Sequence, residues 1–258
     1  MMSGAWTEIA RWPFDDPREV RVVWTRPARW DELDAVLDPG ERLRLATLPR
    51  ADDRRRFVAV RALARLVLSQ VTGVPAQSIA FTARCPRCGG EHGQPRAPVA
   101  PHVHLSMSHA GDRAAVAITA LGPVGLDVEP ANVTFGGFAD VALTENERVA
   151  YRQLPAESRP RAAATWWVRK EALLKATGYG LLVPPEQVEI SGPAGAPELI
   201  RWGADLELTD PARLADLRFG ADYMGCVAVL SEAAPLVRVI EVDDRLAVSA
   251  TRACITTR

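Results

Sequence analysis

The stretch that most constrains the fold is WWVRKEALLKATGYGLL, residues 166–182. From Arg161 onward the chain is rich in residues that favour helices, and Gly178 stands where a left-handed residue ends a helix. We therefore predict a helix that ends near Thr177.

Three charged residues of this helix, Lys170, Glu171 and Lys175, lie near the edge of its buried stripe, because the apolar positions recur at roughly helical spacing. Lys170 and Lys175 are also the only two lysines of the chain. Taken alone, Glu171 and Lys175 form an ordinary ion pair four residues apart, which contributes about a few tenths of a kcal/mol.

A second motif, VGLDVEP, predicts a strand over residues 124–129. Alternate residues of a strand share a face, so Asp127 and Glu129 project side by side while Leu126 and Val128 point into the core. Neighbouring carboxylates repel each other unless a cation lies between them, and magnesium prefers such hard oxygen ligands. The alternative is an exposed acidic edge of a sheet.

Arginines follow one face of another predicted helix, which begins at Asp52 as N-cap and runs to about Gln70. Arg54, Arg61 and Arg65 are seven and four residues apart and so line up. Aligned guanidinium groups suit phosphate binding, and a solvated basic face is the equal alternative.

Two cysteines and a histidine, Cys85, Cys88 and His92, have the C-x2-C-x3-H spacing of zinc ligands, and His102 or His104 would supply a fourth. The alternative is a surface loop rich in glycine and proline that contains two reduced thiols.

Further elements place other polar residues. Strands over residues 104–108 and 113–119 put Ser108 and His109 at a strand end, where side chains reach a cleft. Thr144 is predicted to cap a helix, with Glu147 completing a capping box. Residues 211–217 are predicted to form a short helical turn.

Composition limits the class of protein. The 258 residues are 48% apolar and 24% charged, enough for one large or two small globular cores, and the formal net charge of −1 does not favour a nucleic-acid partner. Four unevenly placed cysteines fit a reducing compartment. With neither a signal peptide nor a membrane-spanning stretch in the sequence, we expect a cytoplasmic protein without a membrane partner.

In order, the motifs resemble those of the surfactin-synthetase-type 4′-phosphopantetheinyl transferases. They are Arg61 in its arginine-rich helix, Gly93-Gln94-Pro95, Ser108-His109, GLDVE at 125–129 and WVRKEALLK at 167–175. The G-x-D-x-E and W-x-x-K-E-x-x-x-K segments are specific as a pair, about forty residues apart, whereas either alone is weak. The resemblance spans roughly residues 54–182.

Such enzymes move phosphopantetheine from coenzyme A to a serine of an apo carrier protein. The resemblance implies an α+β fold of two similar halves related by a pseudo-twofold axis, with coenzyme A between them. We place the division near Leu121, which gives halves 1–121 and 122–258, and expect a monomer.

Residue roles follow from the same resemblance. Asp127, Glu129 and Glu171 match the magnesium ligands, Glu171 also matches a proposed general base, and Lys175 matches a lysine near the α-phosphate. The remaining residues that match coenzyme A contacts are Arg54, Arg61, Ser108, His109 and Lys170, with His109 also placed to stabilise charge in the reaction. Gln94 replaces a basic residue common in the family, a role that Arg96 is expected to take.

Two rival functions come from other classes. A non-catalytic module would bind coenzyme A or a carrier protein without transfer, but this chain keeps all three carboxylates and Lys175. A zinc-dependent nucleic-acid binder would use the cysteines and the arginine helix, but the near-neutral charge and the lack of a second ligand pair argue against it.

Overall fold

The structure is a computed structural model that describes residues 14–27, 30–91, 93–132 and 137–243. In chain order, its strands and α-helices are β1 (Glu19–Thr25), α1 (Pro39–Thr47), α2 (Ala51–Thr72), β2 (His104–Ala110), β3 (Arg113–Thr119), β4 (Val124–Pro130), α3 (Phe138–Ala142), α4 (Glu145–Gln153), α5 (Arg159–Ala176), β5 (Val188–Ile190), β6 (Leu199–Trp202), β7 (Ala212–Arg218), β8 (Tyr223–Leu230) and β9 (Leu236–Glu241). Short 3-10 helices occur at Trp30–Val36, Ala76–Ser78, Ala156–Ser158, Gly180–Leu182 and Pro185–Gln187.

The chain divides into two compact units that alternate along the sequence. Of the described residues, the first unit contains those from Phe14 to Thr82, Pro95–Ala120 and those from Leu236 to Asp243. The second contains Ala83–Gln94 and Leu121–Pro235. Each unit combines a sheet with a long helix, which confirms the predicted α+β class, while the pseudo-twofold relation between the halves stays a prediction.

The first unit is built on a four-stranded sheet with the order β2-β3-β1-β9. Strand β1 is antiparallel to β3 and parallel to β9. Helix α2 contributes Leu63 and Val67 to a core that also contains Val116 and Ile118 of β3. The helix begins after Arg50, which makes no side-chain capping bond, so the predicted N-cap at Asp52 is wrong.

The second unit places helix α5 on a three-stranded antiparallel sheet with the order β4-β8-β7. The helix and the sheet approach closely at Gly125, where an added Cβ would lie 1.9 Å from the carbonyl oxygen of Ala172 and 2.4 Å from the backbone nitrogen of Ala176. Only glycine fits there. Because alternate residues share a face, Asp127 and Glu129 lie on the same face of β4 as Gly125 and point towards α5.

The ends of two helices agree with the sequence. Helix α5 ends at Ala176 with Thr177 as its cap, and Gly178 takes a left-handed conformation at φ 77°. Thr144 and Glu147 form the predicted capping box of α4, with both reciprocal hydrogen bonds present.

The predicted helical turn over residues 211–217 is wrong, because this segment forms strand β7. Its residues pair antiparallel with β8, with Asp216 opposite Cys226. The paired strand satisfies its backbone groups through a partner that is close in space and not in sequence. Of the helices in the described ranges, none has the length and apolar character needed to cross a membrane.

Candidate functional site

An acidic cluster, defined as Asp127, Glu129 and Glu171, lies where β4 faces helix α5 in the second unit. Lys175, one helical turn after Glu171, donates to Asp127 Oδ1 at 2.6 Å and to the carbonyl oxygen of Leu126 at 3.1 Å. Asp127 and Glu171 are buried. The structure therefore brings the three predicted metal ligands and Lys175 to one place.

Glu171 is the carboxylate of the cluster on the helix. Its Oε1 is buried and has no hydrogen-bond partner within the described part of the chain. Burial raises the pKa of Glu171, Lys175 opposes that rise and Asp127 adds to it. A buried carboxylate oxygen without a donor is a position that a cation or a proton-donating substrate would stabilise.

Glu129 has a more strongly shifted pKa, which is raised to about 7. The largest cause is burial, and the negative charges of Asp127 and Glu171 add to it. Lys175 and a hydrogen bond from the Trp167 side chain oppose the shift. The positive charge around Glu129 is thus too small to keep the acidic cluster fully ionised at neutral pH.

The sequence analysis missed Trp167 as a contributor to the cluster. Trp167, Glu171 and Lys175 are spaced four residues apart, so they follow one face of α5. The indole donates to Glu129 while its ring packs edge-on against Phe138, with 6.4 Å between ring centroids. The spacing of four between Trp167, Glu171 and Lys175 was the available signal.

The residue types of the acidic cluster fit magnesium. Carboxylate oxygens are its preferred protein ligands, and the unpartnered Oε1 of Glu171 and the raised pKa of Glu129 both indicate a deficit of positive charge. Across the residues described, no group of three or more His, Cys, Asp or Glu side chains is already arranged to hold a metal ion. Binding would thus require the carboxylates to close around the ion.

Lys170 lies elsewhere in the second unit, and its contacts differ from the coenzyme A contact expected of it. Its side chain is fully buried, and its ammonium donates to the carbonyl oxygen of Ala142 at 2.7 Å, to Glu147 Oε2 at 2.5 Å and to the carbonyl oxygen of Pro185 at 3.0 Å. An ammonium group has three N–H donors, so these contacts use them all. The structure corrects the expected coenzyme A contact to a structural ion pair.

The arginines of helix α2 belong to the first unit and have different surroundings. Arg61 is a quarter exposed, lies 3.5 Å from Glu41 and stacks near the rings of Phe57 and Phe81. Arg54 is exposed and donates to the carbonyl oxygen of Leu48 at 2.9 Å.

Arg65 is not part of a phosphate-binding face. Its guanidinium is buried and pairs with Asp38 and Glu41, and it donates to the carbonyl oxygen of Ile79. Of the three arginines that line up on one face of α2, Arg54 and Arg61 reach solvent and Arg65 does not.

Three further expected contacts also belong to the first unit. Ser108 is buried and His109 exposed, and both lie within β2, which extends to Ala110 and so includes the predicted strand end. Arg96 is exposed and forms an isolated backbone bridge with Thr82. Their roles toward coenzyme A stay predictions.

A segment that we call the cysteine loop, Ala83–Gln94, belongs to the second unit. It contains Cys85, which is buried, and Cys88, which is exposed. The third predicted zinc ligand, His92, lies outside the described residues. At the end of the loop the side-chain amide of Gln94 donates to the carbonyl oxygen of Val124 at 2.9 Å, next to the strand that carries Asp127.

Comparison with known proteins shows what these elements are similar to. Residues 123–227, which contain the whole acidic cluster and Lys175, match the family model of the 4′-phosphopantetheinyl transferase superfamily. The chain is 27% identical over 129 residues to the 4′-phosphopantetheinyl transferase psf-1 of Bacillus pumilus, a match covering 50% of this chain and 52% of that protein. The match to gsp of Aneurinibacillus migulanus is 27% identical and covers 51% and 52% of the two chains.

A longer match is to the 4′-phosphopantetheinyl transferase HetI of Nostoc sp., at 26% identity, covering 71% of this chain and 74% of that protein. The chain thus spans about half the length of two of these curated relatives and about three quarters of the third. A solved holo-[acyl-carrier-protein] synthase of Thermotoga maritima is 25% identical over 44% of this chain and 64% of its own, with a TM-score of 0.37. Residues 123–227 of the chain are thus similar to the 4′-phosphopantetheinyl transferase superfamily.

Proposed function

We propose that the chain transfers the 4′-phosphopantetheine group from coenzyme A to a serine of an apo carrier protein, with Mg²⁺ as the metal ion. One observation carries the proposal: the acidic cluster and Lys175 lie together on β4 and α5, inside the segment that matches the transferase family. The carrier protein and coenzyme A are inferred from the similarity to that family.

The proposed reaction is a phosphoryl-type transfer. The serine oxygen forms a bond to the β-phosphorus of coenzyme A, and the bond from that phosphorus to the bridging oxygen breaks. Adenosine 3′,5′-bisphosphate leaves, and the serine proton must pass to a base. Negative charge develops on the phosphate oxygens, so catalysis depends mainly on positioning and charge neutralisation.

Glu171 is the proposed base. Burial raises its pKa, which moves its proton affinity towards that of a useful base near neutral pH, while the nearby Lys175 keeps the ionised form accessible. Whether the proton passes directly or through a water does not change which residue accepts it.

Lys175 is proposed to neutralise charge on the α-phosphate. Its ammonium is held by Asp127 and by the carbonyl oxygen of Leu126, so its position is fixed before substrate binds. Preorganised charge of this kind costs little reorganisation during the reaction.

Asp127, Glu129 and Glu171 are the residues that would hold magnesium. When bound, the ion supplies a positive charge that neutralises pyrophosphate oxygens and relieves the repulsion among the carboxylates. Affinity for Mg²⁺ or Mn²⁺ is measurable by calorimetry without substrate, and we expect Glu129→Gln to weaken it.

In the first unit, Arg61 is the proposed contact for the 3′-phosphate, with Arg54 and Arg96 as further basic residues and Ser108 and His109 as additional coenzyme A contacts. The exposure of Arg61 supports this role, because a quarter of its side chain reaches solvent beside the rings of Phe57 and Phe81. A planar guanidinium offers paired donors to a phosphate.

The experiment that tests the function is intact-mass analysis of several apo carrier proteins after incubation with the full chain, coenzyme A and Mg²⁺. We expect at least one carrier protein to gain the mass of one phosphopantetheine group per carrier molecule, with release of adenosine 3′,5′-bisphosphate. Binding of coenzyme A or carrier without any mass gain would instead support the alternative of a non-catalytic binding module. No binding and no mass gain with any carrier would overturn both.

A further inference from the structure

The cysteine loop carries a pair of thiols that the proposed transfer does not use. Backbone N–H groups of Cys88 and Arg87 both donate to the sulfur of Cys85, and the Cys85 and Cys88 side chains are hydrogen-bonded to each other. Both residues are free of disulfide bonds. The two sulfur atoms therefore lie together on one side of a tight turn.

The turn itself is fixed by the backbone. The N–H of Gly89 donates to the carbonyl oxygen of Cys85 at 2.9 Å, and the N–H of Cys85 donates to the carbonyl oxygen of Gly90 at 2.7 Å. Gly89 takes a left-handed conformation at φ 74°, which a side chain would strain. These backbone hydrogen bonds and the left-handed Gly89 therefore fix the turn that brings the two sulfurs together.

The two backbone N–H donors at Cys85 favour a negatively charged sulfur over a neutral thiol. A thiol sulfur is a weak acceptor, yet here it takes two backbone N–H donors in a buried position. A thiolate accepts such donors well, and the thiolate is the form that binds metal ions.

A redox pair fits the geometry less well. Exchange with an external disulfide requires access to the attacking sulfur, but Cys85 is only 4% exposed. Cys88 is the exposed cysteine, but the backbone N–H donors that favour a thiolate act on the sulfur of Cys85. A metal ion needs no such attack, because it binds on the side where the two sulfurs already meet.

We propose that Cys85 and Cys88 bind a thiophilic divalent cation of the zinc class through their two sulfur atoms. Two cysteines three residues apart are a common zinc-binding spacing, and thiolates select zinc over magnesium. Within the described ranges no third donor joins them in a metal-binding group. Solvent completes the coordination of the proposed ion.

The bound ion would stabilise the connection to the acidic cluster without taking part in transfer. The base of the cysteine loop is closed by a 2.5 Å hydrogen bond from the N–H of Gly93 to the carbonyl oxygen of Ala83. The next residue, Gln94, holds the loop to Val124, three positions before Asp127. This site is independent of the proposed transfer, and the two hypotheses fail separately.

Cobalt(II) titration of the full chain under reducing conditions tests the proposal, with excess Mg²⁺ present to occupy the acidic cluster. We expect one thiolate-to-cobalt charge-transfer band, its displacement by Zn²⁺, and X-ray absorption at the zinc edge showing two sulfur ligands near about 2.3 Å. Cys85→Ser and Cys88→Ser should each weaken binding by at least about tenfold. Cys226→Ala, which removes a buried thiol of the same unit, is the matched control and should leave the band unchanged.

Three results would overturn the proposal. One is the absence of a charge-transfer band with the wild-type chain. Another is equal zinc affinity in the wild type and in Cys85→Ser, with circular dichroism showing both to be folded. The third is recovery of a Cys85–Cys88 disulfide, by mass, from protein purified without reductant and with no bound metal.

Discussion

At the scale of single residues, the acidic cluster holds more negative charge than Lys175 balances. Lys175 contacts Asp127 directly, and Glu129 and Glu171 both have raised pKa values. This imbalance raises the free energy of the folded protein, and a bound cation would lower it. The strain should therefore be visible as a dependence of stability on pH.

For Glu129, the folded-state pKa of about 7 lies above the ordinary value of 4.5. Folding therefore favours the protonated form, and stability is lost as pH rises from about 4.5 through about 7. With a chelator present, wild-type unfolding free energy should fall by about 1 to 2 kcal/mol more than that of Glu129→Gln between pH of about 5 and 8, a discounted figure because the carboxylate is partly exposed. Denaturant unfolding at each pH measures it.

The control for this prediction is Glu157→Gln, which neutralises an exposed carboxylate and should follow the wild-type curve. Parallel pH curves for wild type and Glu129→Gln would show that the crowding of the acidic cluster does not affect stability.

For Arg61, we expect substitution by alanine to raise the KM for coenzyme A by about ten- to a hundredfold, since a charge-assisted contact to phosphate contributes about 1.5 to 3 kcal/mol. The same variant should hardly change the KM for the analogue that lacks the 3′-phosphate. Steady-state kinetics with both substrates make the comparison. An equal loss with both would mean that Arg61 acts through its contact with Glu41 and not on the 3′-phosphate.

At the scale of elements, the contact between β4 and α5 sets the geometry of the site. Gly125 permits the contact, and the carboxylates two and four residues later share its face of the strand. Helix α5 is anchored independently by Arg169, which pairs with Asp216 and is fully buried. Changes at the crossing should therefore affect fold and site together.

For Gly125→Ala, the added Cβ meets backbone atoms of α5 that cannot rotate away. We expect a loss of about 1 to 3 kcal/mol or more in unfolding free energy, with lower metal affinity in the protein that remains folded. Gly192→Ala is the matched control, because no atom lies within 4 Å of its added Cβ. Equal stability of the two variants would contradict the close crossing.

For Lys170→Met, we expect a loss of about 3 to 5 kcal/mol in unfolding free energy, because Glu147 remains as a buried and uncompensated charge. Adding Glu147→Gln should recover part of the loss, since glutamine keeps the capping box and removes the charge. Thermal and denaturant unfolding of the single and double variants measure both effects. Weaker coenzyme A binding with unchanged stability would restore the contact implied by the family resemblance.

At the scale of the whole molecule, local patterns predicted the site better than they predicted the long-range pairing. Strand β4 and helix α5 carry strong periodicity and a glycine stop, so the sequence alone predicted that Asp127, Glu129, Glu171 and Lys175 lie together. Their roles in transfer stay predictions. Lys170 has the same local signal as its neighbours. Its burial depends on Glu147, which is 23 residues away in sequence, so periodicity alone did not reveal it.

Strands formed by distant partners were harder to predict. Strand β9 joins the first unit by pairing parallel to β1, more than two hundred residues earlier. Residues of β7 follow Pro211 and were assigned to a helical turn, but pairing with β8 decided their conformation. In both cases the partner strand, and not local propensity, provides the backbone hydrogen bonds.

Glu171 on α5 is the proposed base in phosphopantetheine transfer. This role is tested most directly by the rate of mass gain of one apo carrier with wild type, Glu171→Gln and the exposed-site control Glu157→Gln. We predict that Glu157→Gln matches wild type, whereas Glu171→Gln keeps its fold and loses transfer by at least about a hundredfold, as expected for removal of a general base. A folded Glu171→Gln that modifies the carrier at the wild-type rate would contradict the claim.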